Sequence, residues 1–184
     1  MKPVDRSQIL DYVTYEEQRE AFRARILEEK RLRRVHVGGV LTFLFENPDT
    51  VRYQVQEMIR AERIVKEADV RHELETYNEL LGGDGELGCT LLIEIDDPEQ
   101  RKDKLERWLD LPRHVYVRME DGAKVYARFD ERQIGDTRVS SVQYFKFDVH
   151  GVVPVAIGAD LPDLCVETRL EPATRAALYR DLAG

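Results

Sequence analysis

The chain has 184 residues, of which 42% are hydrophobic and 35% charged, with a formal net charge of −8. That length buries one sizeable core, so one compact unit over 1–184 is expected, with sub-halves 1–81 and 89–184 joined by a Gly-rich loop. The negative balance disfavours nucleic acid or an anionic membrane as the main partner, and no apolar run reaches transmembrane length. Two cysteines, Cys89 and Cys165, with no CxxC exclude a disulfide framework and the usual zinc or iron–sulfur spacings. No cofactor is expected, and both thiols suit a reducing cytoplasm.

The first half reads mostly helical. Over Tyr15 to Arg34, Tyr15, Phe22 and Ile26 share one stripe, and Arg19 lies on it as well. Lys30, Arg31, Arg33 and Arg34 form a basic knot at the end of this helix, where positive charge suits the dipole. Val35 to Val37 and Leu41 to Phe45 read as a hairpin about Gly38-Gly39, since glycine takes the positive φ of such a turn. Asn47 is a good N-cap and Pro48 suits the first helical position. In the helix that follows, Val51, Val55, Met58 and Val65 fall on one stripe flanked by Ile59, with Glu62 in its middle. A shorter helix is expected over Arg71 to Leu80. Gly82 to Gly88, GGDGELG, then breaks the chain as a loop, with no GK[ST] to make it a phosphate loop.

The second half alternates at period two. Leu91, Ile93 and Ile95 oppose Thr90, Leu92 and Glu94, and Asp97-Pro98 begins a helix to about Leu111. Val115, Val117 and Met119 point one way and His114, Tyr116 and Arg118 the other. Val125, Ala127 and Phe129 repeat the pattern, as do Gln143, Phe145, Phe147 and Val149. A further strand covers Leu164 to Leu170, and Pro172 opens a terminal helix. Parity settles one register. A two-residue Asp121-Gly122 turn would set inward Met119 against outward Lys124. A three-residue Glu120-Asp121-Gly122 loop, with glycine left-handed, sets Val117 opposite Val125 and Tyr116 opposite Tyr126. The fold class is α+β, a helical N-terminal half with a short hairpin packed on a mostly antiparallel sheet in the C-terminal half. The order approaches a ferredoxin-like plan, but Glu131 to Ser141 is too short and polar for its second helix.

The segments RRVHVGGVLTFLFENPDTVRYQVQEMIRAERI, ETYNELL, TLLIEI and VQYFKF resemble the bacterial domain of unknown function 3501 family over most of the chain. The resemblance carries over no established activity. It implies a small cytoplasmic protein of a family often encoded beside rubrerythrin and an iron–sulfur oxidoreductase, hence a setting in redox or oxidative-stress metabolism. Members often carry a Gly-Val-Asp-His-Pro-like stretch near the C-terminus. Here it is Gly158-Ala159-Asp160-Leu161-Pro162, without the His, so no metal or acid–base role is carried to that position.

Glu62 is the first site candidate. A buried carboxylate must be paired, hydrogen-bonded or protonated, and Arg19 is a cation equally misplaced on its own helix. One reading is a structural ion pair. The other is an enzyme in which Glu62 acts as acid or base in a pocket with Arg19 and Tyr15. Glu57 and Arg60 fall on the opposite, solvated side of the Glu62 helix. The four histidines, His36, His72, His114 and His150, lack a ligand spacing, although His114 and His150 both fall at outward strand ends and no metal is expected. Tyr116, Tyr126 and Tyr144 with Arg118, Arg128 and Lys146 form an outward sheet face, mixed with Glu94, Asp96 and Asp148. Such a face suits a ligand, a protein partner or a second copy in a homodimer, and as a third class a single-stranded RNA. Cys89, beside the Gly-rich loop, is a thiol that exposure would make redox-active. The expectation is therefore a cytoplasmic accessory or binding protein.

Overall fold

The computed structural model describes residues 1–184. Helix α1 spans Tyr12–Arg33, and Asp11 caps it by accepting from the Val13 and Thr14 amides. Strands β1 (Arg34–Val37) and β2 (Leu41–Glu46) form the expected hairpin, with Gly38 and Gly39 both at positive φ. Helix α2 (Pro48–Glu62) starts from a reciprocal Asn47–Thr50 capping box, and α3 spans Glu67–Asn78. Then come β3 (Glu86–Ile93), α4 (Pro98–Arg107), β4 (Val115–Arg118) and β5 (Lys124–Tyr126). Strands β6 (Val142–Asp148), β7 (Ala156–Leu161) and β8 (Leu164–Arg169) and helix α5 (Pro172–Ala183) complete the chain. The fold is α+β.

Two four-stranded antiparallel sheets replace the single expected one. Sheet A runs β1-β2-β3-β6 and sheet B runs β5-β4-β7-β8. Sheet A draws two strands from each sub-half of the chain. The Gly-rich loop is shorter than expected, because Glu86, Leu87 and Gly88 already pair with β6. Strand β7 was not anticipated. The sheets face each other across one core in which Phe43, Phe45, Leu91, Phe145 and Phe147 of sheet A meet Val115, Val117 and Ile157 of sheet B. They also meet at both edges. Backbone bonds pair Arg128 with Lys146 beside β5 and β6, and the Thr168 hydroxyl donates to the His36 carbonyl across β8 and β1. Beyond the Arg128 bridge the edge of β6 is closed by a side chain. The Gln133 amide donates to the Tyr144 carbonyl (3.1 Å) and accepts from the Tyr144 amide (2.7 Å), standing in for a strand neighbour.

The other face of sheet A lies under the helices, so all six residues of β2 are buried. The N-terminal segment, α2 and α3 share a second apolar cluster of Val4, Ile9, Val51, Val55, Ile59, Val70, Leu74 and Leu81. The basic knot is not simply a solvated helix end. Arg33 is 2% exposed, makes a two-pronged pair with Asp181 of α5 (2.8 and 2.8 Å), and reaches Glu29 at 2.5 Å. The tyrosine hairpin has the register that parity requires. Tyr116 faces Tyr126 and Val117 faces Val125, the Gly122 amide bonds the Met119 carbonyl, and Gly122 has φ +87°.

The chain just beyond α3 sits directly on β3 at Gly88. A Cβ there would lie 1.9 Å from the Leu80 carbonyl oxygen and 2.9 Å from the Gly82 amide nitrogen, both main-chain atoms that cannot swing aside. Gly88→Ala should lower stability in urea unfolding by about 2 kcal/mol or more, as overpacking a tight contact does. Gly39→Ala, with open space but positive φ, should cost only about 1 kcal/mol.

Candidate functional site

The Glu62 expectation fails for a local reason. Arg63 takes a left-handed conformation (φ 52°) and ends α2, so Val65 lies outside the helix and is 74% exposed. Without Val65 the buried stripe is Val51, Val55 and Ile59, and Glu62 points to solvent. Arg19 instead holds Glu57, with Nε to Oε1 at 2.8 Å and the second guanidinium arm to Oε2 at 2.9 Å. The Tyr15 hydroxyl donates to the same carboxylate at 2.7 Å, and Arg60 flanks it at 3.8 Å. The Arg19 hydrogen bond, then that of Tyr15, holds the Glu57 carboxyl below the usual range. Burial, reinforced by Glu57, pushes the Tyr15 phenol up. The structure thus brings Arg19 and Tyr15 together, around a carboxylate whose oxygens are already taken.

The expected outward face is divided between the two sheets. Tyr116, Tyr126 and Arg118 lie on sheet B, whereas Tyr144 and Lys146 lie on sheet A. On sheet B each group has a partner within the chain. Tyr116, 3% exposed, donates to Glu167 (2.7 Å), which also takes Arg118 (2.8 Å). Asp160 accepts from Lys124 (2.7 Å), Tyr126 (2.7 Å) and His114 (3.0 Å). Burial opposes ionisation of Asp160, but these hydrogen bonds outweigh it and hold its carboxyl well below the usual range. The aspartate of the family stretch is therefore the hub of a polar network, and Leu161, in the place of the family His, packs into the core. His114 and His150 sit beside separate carboxylates, Asp160 and Asp148. Cys89 is buried, and burial followed by the charge of Glu46 pushes its thiol well up, so the exposure that a redox role would need is missing.

What remains open is the edge of sheet A. The helices cover Leu44, Glu46, Gly88 and Thr90 but stop short of β6, leaving Tyr144 42% exposed. Between α3 and the β5–β6 seam lies a cleft of about 560 Å³. Thr76, Tyr77 and Leu80 line it from α3 and the residues that follow, and Phe129, Tyr144, Phe145 and Lys146 from the sheet. Arg128 lines it too, held by Glu86 in an ion pair, and so does Asp130, held by Arg132. Lys146, Tyr77 and Tyr144 are different, because none of their side chains has a hydrogen-bond or ion-pair partner in the chain. Burial chiefly, then the neighbouring Tyr77 and Glu46, pushes the Tyr144 phenol up. Behind this wall Glu46, 7% exposed, accepts from Thr50 (2.5 Å) and Thr90 (2.6 Å). Tyr77, Phe129 and Glu46 were not singled out from sequence. The one available signal for Glu46 was a carboxylate on a strand too apolar to have a wet side.

The depressed carboxyls give a pH test with a definite sign. A carboxylate lowered by folding contributes stability above its unfolded pKa, about 4.3 for Glu, and loses it as pH falls through the folded value. Glu57→Gln should therefore cost about 1–2 kcal/mol at neutral pH, given its partial exposure. Measured by urea unfolding across pH, that deficit should hold down to about pH 5 and shrink below about pH 4.

A crystal structure described as a novel protein of unknown function from Burkholderia pseudomallei K96243 superimposes with a TM-score of 0.89. It is 32% identical, over 98% of this chain and 100% of that one. No curated protein matches. The family described as "Protein of unknown function (DUF3501)" matches residues 3–182, and the chain belongs to that family.

Proposed function

We propose that this is a binding protein, without turnover of its own, for a small amphipathic anion held in the cleft between α3 and the β5–β6 seam. The observation that carries the reading is the set of unpartnered donors there. The Lys146 ammonium and the Tyr77 and Tyr144 hydroxyls line a cavity based on Phe129 and Phe145, on a surface where Arg118, Lys124, Arg128 and Arg132 are all paired. Its volume lies within the ordinary range for small-molecule sites, about 300–1,000 Å³. An apolar body suits the phenylalanines and one anionic group suits Lys146. An accessory role in the cytoplasm, in redox or oxidative-stress metabolism, is the setting that the family resemblance suggests, and it rests on that resemblance alone. The acid–base alternative loses its support, because Glu57 is saturated by Arg19 and Tyr15 and Glu62 faces solvent. The RNA and homodimer readings of one tyrosine face weaken as well, because that face is split between two sheets and the Tyr116 and Tyr126 phenols are spent on Glu167 and Asp160.

The test uses 8-anilinonaphthalene-1-sulfonate, an aromatic monoanion, and its uncharged relative N-phenyl-1-naphthylamine. The sulfonate should show one saturable fluorescence site that weakens about tenfold in Lys146→Ala, the loss of about 1.4 kcal/mol. The uncharged probe should bind Lys146→Ala and wild type alike, and Tyr144→Ala should weaken both probes with the melting temperature unchanged. Absence of a saturable site, or equal sulfonate affinity in Lys146→Ala, would overturn the reading.

A further inference from the structure

The groove between α1 and α2 holds a second set of cations, most of them without a salt-bridge partner. Phe22 of α1 and Tyr53 of α2 stack at 6.2 Å with planes 14° apart. The guanidiniums of Arg25 and Arg52 both rest against the Phe22 ring, at 5.0 and 5.1 Å from its centroid, and the Lys30 ammonium lies 4.9 Å from that of Tyr53. Arg25 has one carboxylate near it, Asp49 at 3.9 Å, and both are more than a third exposed. The other α1 cations in salt bridges are Arg19, Arg31 and Arg33, and neither Lys30 of α1 nor Arg52 of α2 takes part in one. Arg52 Nε is enclosed without an acceptor. Burial chiefly lowers the pKa of Lys30; Glu46 opposes that shift and Arg34 adds to it.

Arg25, Arg52 and Lys30 thus have one salt-bridging carboxylate among them, Asp49, with Glu46 and Glu57 acting on Lys30 only through space, in a chain whose net charge is −8. Cation–π contacts return about 0.5–1 kcal/mol each at exposed sites, which leaves the like charges mutually repelling. An incoming anion relieves that repulsion. Its nature follows from what is still free. Phe22 is already flanked by Tyr53, Arg25 and Arg52, and Tyr53 by Phe22 and Lys30, so neither ring has a face to spare for a nucleobase. No hydrogen bond within the chain uses the terminal guanidinium nitrogens of Arg52, and Arg25 meets only the distant Asp49, so both can turn N–H groups toward a carboxylate.

We propose that the α1–α2 groove is a docking surface for an acidic, Asp/Glu-rich segment of a partner protein, read by Arg25 and Arg52 and framed by Lys30. It shares no residue with the α3–β6 cleft and stands independently of the ligand proposed there.

The probe is a fluorescein-labelled oligoglutamate peptide, titrated with the full chain at low ionic strength and followed by anisotropy. Wild type should bind it saturably, with affinity falling as salt rises. Arg25→Gln/Arg52→Gln should weaken binding tenfold or more, while Lys146→Ala leaves it unchanged. If the glutamine pair melts early, Arg25→Lys/Arg52→Lys keeps both charges and should bind several-fold more weakly than wild type, because the fork is gone. Equal affinity of wild type and the folded double variant would overturn the proposal. So would tighter binding of an oligouridylate of matched length, which would mark a nucleic-acid surface instead.

Discussion

Glu46 is a carboxylate on a strand that has no wet side, and the way it is satisfied joins the helical layer to sheet A. One oxygen takes the Thr50 hydroxyl from the first turn of α2, the other the Thr90 hydroxyl from β3. A buried carboxylate left without donors costs several kcal/mol, so α2 cannot drift from this corner without stranding it. The same turn holds the Asn47–Thr50 capping box, which fixes where α2 starts. One side chain thereby sets the register of a helix against a sheet. The apolar stripe of Val51, Val55 and Ile59 then packs α2 against α3 and the N-terminal segment.

The position of the cleft follows from the other end of this layer. Gly88 admits the main chain of Leu80 and Gly82 onto β3, which pins the end of α3 over the middle of sheet A. The helices are then too few to cover β6. Beyond Arg128 and Lys146 the strand has no backbone neighbour on its outer side, and the Gln133 amide closes the gap at Tyr144. The result is a phenylalanine-based hollow between a helix end and a sheet seam, rimmed by side chains that neither layer needs. Binding sites commonly arise where two packed units part, and this one arises where a helical layer ends before its sheet does.

How much of this was legible in the residues depends on how local each rule is. The hairpin register followed from parity alone, since cross-strand partners must share a face, and the coordinates agree down to left-handed Gly122. The Asn47 cap and the Gly38-Gly39 turn are equally local. Glu62 was misplaced because a helix was extended by three residues to include Val65. A left-handed Arg63 carries no sequence warning, as arginine rarely adopts that conformation. Shifting the end of the stripe moved the carboxylate that meets Arg19 and Tyr15 from Glu62 to the half-buried Glu57. The tyrosine face failed on a longer scale. Alternation tells which residues share a face of one strand, but not that β4 and β6 belong to different sheets.

The ionic side chains then separate into two populations. Much of the charge in this acidic chain is used internally, in pairs such as Arg33–Asp181, Arg19–Glu57 and Lys124–Asp160. Folding alone explains those, because each removes a cost that the fold itself creates. A cation that is half-buried, stacked on an aromatic ring and left without an anion has no such explanation. It carries the desolvation and the like-charge repulsion of its site and gains little from its own chain. Arg52 and Lys30 in the α1–α2 groove are of this second kind, and Lys146 at the cleft is half-buried and equally without a salt-bridge partner, though on no ring. They lie on different layers of the molecule and differ in what surrounds them. Lys146 lines a cavity shared with Tyr77, Leu80, Phe129 and Tyr144, which suits a single compact anion with an apolar body. Arg25 and Arg52 lie along a groove whose rings are already covered, which suits a chain presenting carboxylates in succession. The same physical test, a desolvated charge without an internal partner, thus separates a small-molecule site from a docking surface by the shape of the ground on which the charge stands.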